Sequence, residues 1–152
     1  MSVRVYVAGA SAELERCERV IAALRAGGCT ITADWTPEMR GDHARGISDA
    51  QLDDHEARRR AETDLDAVED ADVVLLLAPE TATRGAWFET GYALGWARGR
   101  GETAVRSLYV SGSAARQSIF TRCADALFLS DDDAVSAIVS RNVRPLNAGV
   151  SA

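Results

Sequence analysis

The sequence predicts a doubly wound α/β domain: a Rossmann- or flavodoxin-like three-layer sandwich on a five-stranded parallel sheet, in the order 2-1-3-4-5. Two observations carry that expectation. The stretch Ala71-Asp72-Val73-Val74-Leu75-Leu76-Leu77-Ala78 holds an apolar run with no polar alternation, which suits a strand buried on both faces of a parallel sheet. Around it, short strand-like runs alternate with longer stretches of helical spacing, the pattern of βαβ units. A chain of 152 residues is most simply one domain with a sizeable core. That domain is expected over residues 1–141, with a loose tail over 142–152.

Val3 to Ala8 reads as the first strand, and Gly9-Ala10-Ser11 as a tight turn with Ser11 as helix N-cap. From Ala12 to Ala26, Leu14, Cys17, Val20, Ile21 and Leu24 recur at helical spacing, with Glu15 and Arg19 four apart on the outer face. Gly27-Gly28 ends this helix, and Cys29 to Ala33 is the second strand. Asp34 to Gly46 lacks periodicity, contains Pro37, and is expected to be a functional or mobile loop. Ser48-Asp49-Ala50-Gln51 has the form of a capping box opening a helix to about Asp70, with Arg58-Arg59-Arg60 as a solvated face. The central strand and a helix carrying Glu89 in or near its first turn follow, then a break at Gly99-Arg100-Gly101. A fourth strand over Ser107 to Val110 leads to a short helix around Ala114 to Cys123. A fifth strand over Ala126 to Leu129 leads to a last helix through about Ser140.

Composition narrows the chemistry. A net charge of −6 argues against a protein that grips a phosphate backbone, so no nucleic-acid partner is expected. All 17 basic residues are arginine. The absence of lysine excludes a Walker-type loop and Schiff-base chemistry, and leaves arginine as the only permanent cation for a phosphate. Cys17, Cys29 and Cys123 have no CxxC spacing, and His43 and His55 have no metal-site spacing, so no metal and no cofactor are assigned. No apolar run approaches the ~20 residues of a membrane span, and Met1-Ser2-Val3-Arg4 runs directly into a strand, so a cytoplasmic protein without a membrane partner is expected.

The first turn is not GxGxxG, no GxSxG is present, and the first strand ends without an acidic cluster. These absences argue against a dinucleotide loop, a serine hydrolase and a receiver domain. What remains is a group of polar residues around the carboxyl edge of the sheet: Glu89, Asp64, Asp34 and Tyr6. Asp64 lies eight residues before Asp72, or ~12 Å back along its helix, which returns it toward that edge. Trp35 at the end of the second strand is either a platform for a sugar or base or a hydrophobic plug. Glu89 is either a reactive carboxylate or a companion to the helix dipole.

Asp64-Leu65 with Ala71-Asp72-Val73-Val74, and then Gly85-Ala86-Trp87-Phe88-Glu89-Thr90-Gly91-Tyr92-Ala93, resemble the nucleoside 2-deoxyribosyltransferase-like superfamily, which includes the 2′-deoxynucleoside 5′-monophosphate N-glycosidases. The resemblance extends from Tyr6 to about Phe128. It implies a Rossmann-like fold and a homodimer with a shared site, acting on a nucleoside or nucleotide by cleavage or exchange of the N-glycosidic bond. Glu89 would attack C1′, Asp64 would position it or protonate the leaving base, and Tyr6 would lie by the sugar. Ser118 would reach the site of a neighbouring subunit. Gly9, Ser11, Asp34, Trp35, Gly85 and Trp87 would line the substrate pocket, with Phe88 a further stacking candidate. In its first turn the chain departs from the monophosphate hydrolases: Gly9-Ala10-Ser11-Ala12-Glu13-Leu14-Glu15-Arg16 shifts the serine and adds acids. Glu13 would oppose a 5′-phosphate held at Ser11. Base, sugar and phosphate preference stay open, as do a non-catalytic nucleotide-sensing module and a glycohydrolase acting on NAD-like dinucleotides.

Overall fold

The apolar run at the centre of the chain becomes the central strand of the sheet. In the computed structural model, which describes residues 2–99 and 107–143, Val73–Leu77 (β3) is buried at all five positions. It runs parallel to Arg4–Ala8 (β1) on one side and Ser107–Ser111 (β4) on the other. Thr30–Ile31 (β2) and Ala126–Phe128 (β5) form the edges, giving the order β2-β1-β3-β4-β5 that the sequence predicts.

Alternation along β1 and β3 divides the core into two halves. Val5, Val7, Val73, Leu75 and Leu77 pack under Leu14–Ala26 (α1) and Asp131–Val143 (α5), through Cys17, Val20, Ile21, Leu24, Ala134 and Ile138. Tyr6, Ala8, Val74 and Leu76 face the opposite layer, where Asp54–Asp70 (α3) and Gly85–Gly99 (α4) contribute Ala67, Val68, Ala86 and Ala93. Each fully buried Leu, Val or Ile contributes roughly 1.5–3 kcal/mol, so this double-sided sheet dominates the stability. Tyr6 is the one polar-tipped side chain from these two strands in that second half, and it is fully buried.

Several elements differ from the sequence expectation. Thr36–Arg45 is a helix (α2) and not a loop. Pro37 stands in its first turn and Gly46, at φ 67°, closes it in the left-handed conformation. Its periodicity is invisible because it docks through charges: Arg59 and Arg60 of α3 pair with Glu38, Arg60 and Arg45 pair with Asp42, and Arg40 pairs with Glu18 of α1. Arg60 is therefore part of an inter-helix network, not a solvated face. The Ser48/Gln51 capping box forms, but it closes one 3-10 turn over Asp49–Gln51; α3 starts later, with the Asp53 carboxylate accepting from the Glu56 amide at 2.8 Å.

Ser11 opens a 3-10 turn, Ser11–Glu13, and makes no side-chain cap. The helix expected around Ala114 to Cys123 is two 3-10 turns, Ser113–Arg116 and Phe120–Cys123. The last helix continues past Ser140 to Val143. Asn142, expected to begin a loose tail, ties the end of the helix to the sheet: its side chain accepts from the Val3 amide at 2.6 Å and donates to the Gly27 carbonyl at 3.2 Å. The remainder of that tail, and the break expected at Arg100-Gly101, lie outside the described residues.

Candidate active site

Three elements meet at the carboxyl edge of β1 and β3. Tyr6 points from β1 into the layer of α3 and α4, Asp64 comes from α3, and Glu89 is the fifth residue of α4. Glu89 thus lies near the first turn, as expected, but just past it and beyond the four free amides of the helix start. The Tyr6 hydroxyl is enclosed and, among the described residues, makes no full hydrogen bond. Nevertheless both carboxyls approach it closely enough to shift its titration and to have their own shifted by it. A buried phenol close to two acids without a closed bond is uncommon, because burial normally requires a partner.

Burial governs the acids. It pushes Glu89 up to about 7, aided by the charge of Asp64 and opposed by the Tyr6 hydroxyl. Asp64 is pushed up to about 6, again first by burial and then by Glu38, against Tyr6, Arg59 and Arg60. The Tyr6 phenol is driven well above its usual range by burial and by the negative charge of Glu89 and Asp64. The expectation that the helix dipole keeps Glu89 ionised is therefore corrected. Between about pH 6 and 7 the two acids hold about one proton between them, and the apparent values belong to the pair.

Above Asp64 and Glu89 lies a cleft of about 1050 Å³, also lined by Gly9, Ser11, Trp35 and Gly85 among the expected residues. Trp35 donates its indole N–H to the Val7 carbonyl at 2.9 Å, beyond the point where β2 stops pairing with β1. That bond fixes the ring as a wall of the cleft while its edge packs on both halves of the core. Gly9 is dictated by space: a Cβ there would stand 2.5 Å from Cys17 Sγ. Gly85 starts α4 beside the cleft with open space around it.

Other expected residues lie elsewhere. Asp34 is a structural cap: one oxygen accepts from the Thr36 hydroxyl (2.6 Å) and amide (3.2 Å), and the other pairs with Arg25 at 2.8 Å. Burial works to raise its pKa, but those partners outweigh it and hold the carboxyl below its usual range. Trp87 packs against the core, and its neighbour Phe88, 67% exposed, lines the cleft instead. Ser118 does not line this chain's cleft; its hydroxyl accepts from the Phe120 amide at 3.2 Å, next to exposed Ile119 and Phe120.

The sequence reading missed Glu38 and Arg60, which reach the cleft on the unrecognised α2 and on α3, and Arg84 at its lip. It also missed how Glu13 is used. Glu13 Oε1 accepts from the amides of Glu80 (2.8 Å) and Thr81 (3.1 Å) and from the Thr81 hydroxyl (3.0 Å). Its Oε2 accepts from Arg16 Nη1 at 2.8 Å. The Gly-Ala-Ser turn followed by an acid was the available signal, but the partners come from a loop 67 residues away.

Among the described residues no group of three or more His, Cys, Asp or Glu side chains is arranged to hold a metal, and no helix is long and apolar enough to cross a membrane. The chain matches no protein-family model, and no curated protein matches it significantly.

Proposed function

We propose that the protein cleaves or exchanges the N-glycosidic bond of a nucleoside or nucleotide through a covalent glycosyl intermediate on Glu89. The observation that carries this reading is that Asp64 and Glu89 line one cleft with the buried Tyr6 phenol close to both, and that burial raises the pKa of each acid. Glycoside cleavage needs that combination, one carboxylate to attack and one carboxylic acid to protonate the leaving group. The resemblance of the Asp64 and Glu89 segments to nucleoside 2-deoxyribosyltransferase-like proteins supplies the substrate class.

Of the two acids, burial raises Glu89 further, so the mechanism starts from the shared proton on Glu89. Tyr6 offers a route for moving it. Its oxygen accepts the Glu89 proton as its own hydroxyl proton passes to Asp64, leaving the phenol neutral and the charges exchanged. The Glu89 carboxylate then bonds to C1′ as the C1′–N bond breaks, and the Asp64 proton goes to the departing base nitrogen. Water, deprotonated by Asp64, attacks C1′ and releases Glu89 with the sugar; a second base in place of water gives exchange. Trp35 and Phe88 give the cleft aromatic surfaces for a base. In line with the same resemblance, the proposal includes a homodimer in which Ser118 serves the neighbouring cleft.

Incubation with a panel of ribo- and deoxyribonucleosides and their 5′-monophosphates, followed by detection of free base, tests the reading. Base release that disappears in Glu89→Ala is the expected result. Release that is unchanged in Glu89→Ala removes Glu89 as nucleophile, and no release or exchange from any member of the panel removes the reading.

A further inference from the structure

The carboxyl ends of β1 and β3 diverge to opposite faces of the sheet, the place where an open α/β sheet presents backbone amides to a ligand. Here those amides are already used. Glu80 N–H and Thr81 N–H, successive donors in the loop after β3, both point at Glu13 Oε1 together with the Thr81 hydroxyl. Arg16, the nearest guanidinium, is saturated: it binds Glu13, both oxygens of Asp131 (2.8 and 2.9 Å) and the Ala78 carbonyl (3.0 Å). The chain has thus built a carboxylate into a cradle that would otherwise suit an external anion.

This internal anion adjoins the cleft. Ser11 lines both the large cleft and a neighbouring cavity of about 550 Å³, whose wall includes Glu13, Glu15 and Glu80. The two guanidiniums on that wall are committed, Arg16 as above and Arg40 to Glu18. A ligand group extending past Ser11 therefore meets net negative charge and no spare backbone donor from Glu80 or Thr81. A phosphate dianion there would displace Glu13 or face it, whereas a hydroxyl would do neither.

Resting on the proposed glycosidic reaction, we infer that Glu13 is a specificity-determining residue which restricts the cleft to nucleosides with an uncharged 5′ position and rejects their 5′-monophosphates. The charge of Glu13, and not its bulk, sets the discrimination. Its neutral isostere keeps the shape and an acceptor for the loop amides.

Calorimetric binding to Glu89→Gln protein, in which bound nucleosides stay intact, tests this with each nucleoside and its own 5′-monophosphate. The nucleoside is expected to bind tighter by roughly tenfold or more, the order of a like-charge juxtaposition. Adding Glu13→Gln is expected to shrink that ratio by roughly tenfold through a gain in monophosphate affinity, with thermal melting confirming that the variant is folded. Glu13→Ala gives a second measurement should the Gln variant not fold. The inference is overturned if the monophosphate binds the parent protein as well as the nucleoside does, with Arg84 at the cleft lip as its cation, or if neutralising Glu13 leaves the ratio unchanged. Base release from monophosphates by the native enzyme would overturn it while leaving the glycosidic reading intact. Failure of every nucleoside and nucleotide to bind or react would overturn both.

Discussion

At Glu89 two physical effects compete: the dipole of α4 favours the carboxylate, and burial over the core disfavours it. The dipole is worth about 0.3–1 kcal/mol and fades beyond the first turn. Moving a glutamate from 4.5 to about 7 corresponds to roughly 3 kcal/mol before solvent screening, so burial wins. The reaction needs one proton on the Asp64–Glu89 pair. Below about 6 both acids are protonated and the nucleophile is lost; above about 7 both are ionised and the acid is lost. A bell-shaped profile of kcat/KM with limbs near those values is expected, and a flat profile across them would contradict the shared proton. Stability carries the same signature. The raised folded pKa means that the folded state holds an extra proton between 4.5 and about 7, so the Glu89 contribution is complete below that window and is lost as pH rises through it. Glu89→Gln is accordingly expected to stabilise the protein at about pH 8, on the order of 1–2 kcal/mol after screening, and to have little effect at about pH 4; thermal melting at both values checks the sign.

Among the elements, those whose signal is apolar burial were legible. β3 shows its run of Val and Leu, and α1 shows Leu14, Cys17, Val20, Ile21 and Leu24, all of which are buried. α2 was not legible, because it buries only Thr36 and Asp42 and is held by arginine–carboxylate pairs to α1 and α3. Pro37 and Gly46 were its only marks. The same reason hid Glu38 as a cleft residue. Asp34 follows the second strand and Trp87 lies in the first turn of α4, but neither position shows whether a side chain faces the cleft, a helix start or the core. Gly9 is a further case of element packing that one residue type controls. A methyl group there meets Cys17 Sγ at 2.5 Å, so Gly9→Ala is expected to cost about 1–3 kcal/mol by forcing β1 and α1 apart. Cys17→Ala made on top should recover much of that loss; equal melting temperatures for the single and double variants would show that the strain lies elsewhere.

For the whole molecule, the two-sided core and the divergence of β1 and β3 bring residues distant in sequence to one edge: Tyr6, Asp64 and Glu89 below the cleft, and Glu13 strapped to the loop after β3. Fold order followed from the pattern of strands and helices, since the chain obeys the rules of parallel sheets. The approach of Asp64 and Glu89 to the Tyr6 phenol did not, because it depends on which faces of α3 and α4 turn inward. For the proposed assembly, sedimentation is expected to report a dimer, and a fully active monomer would exclude the shared site. The proposed reaction turns on one covalent bond, between Glu89 and C1′. Native enzyme turned over with a reactive nucleoside, quenched in acid and measured by mass spectrometry, is expected to carry one added pentosyl group on the peptide containing Glu89, absent in Glu89→Ala. Base release in full with no sugar on Glu89, or with the sugar on another residue, would contradict it.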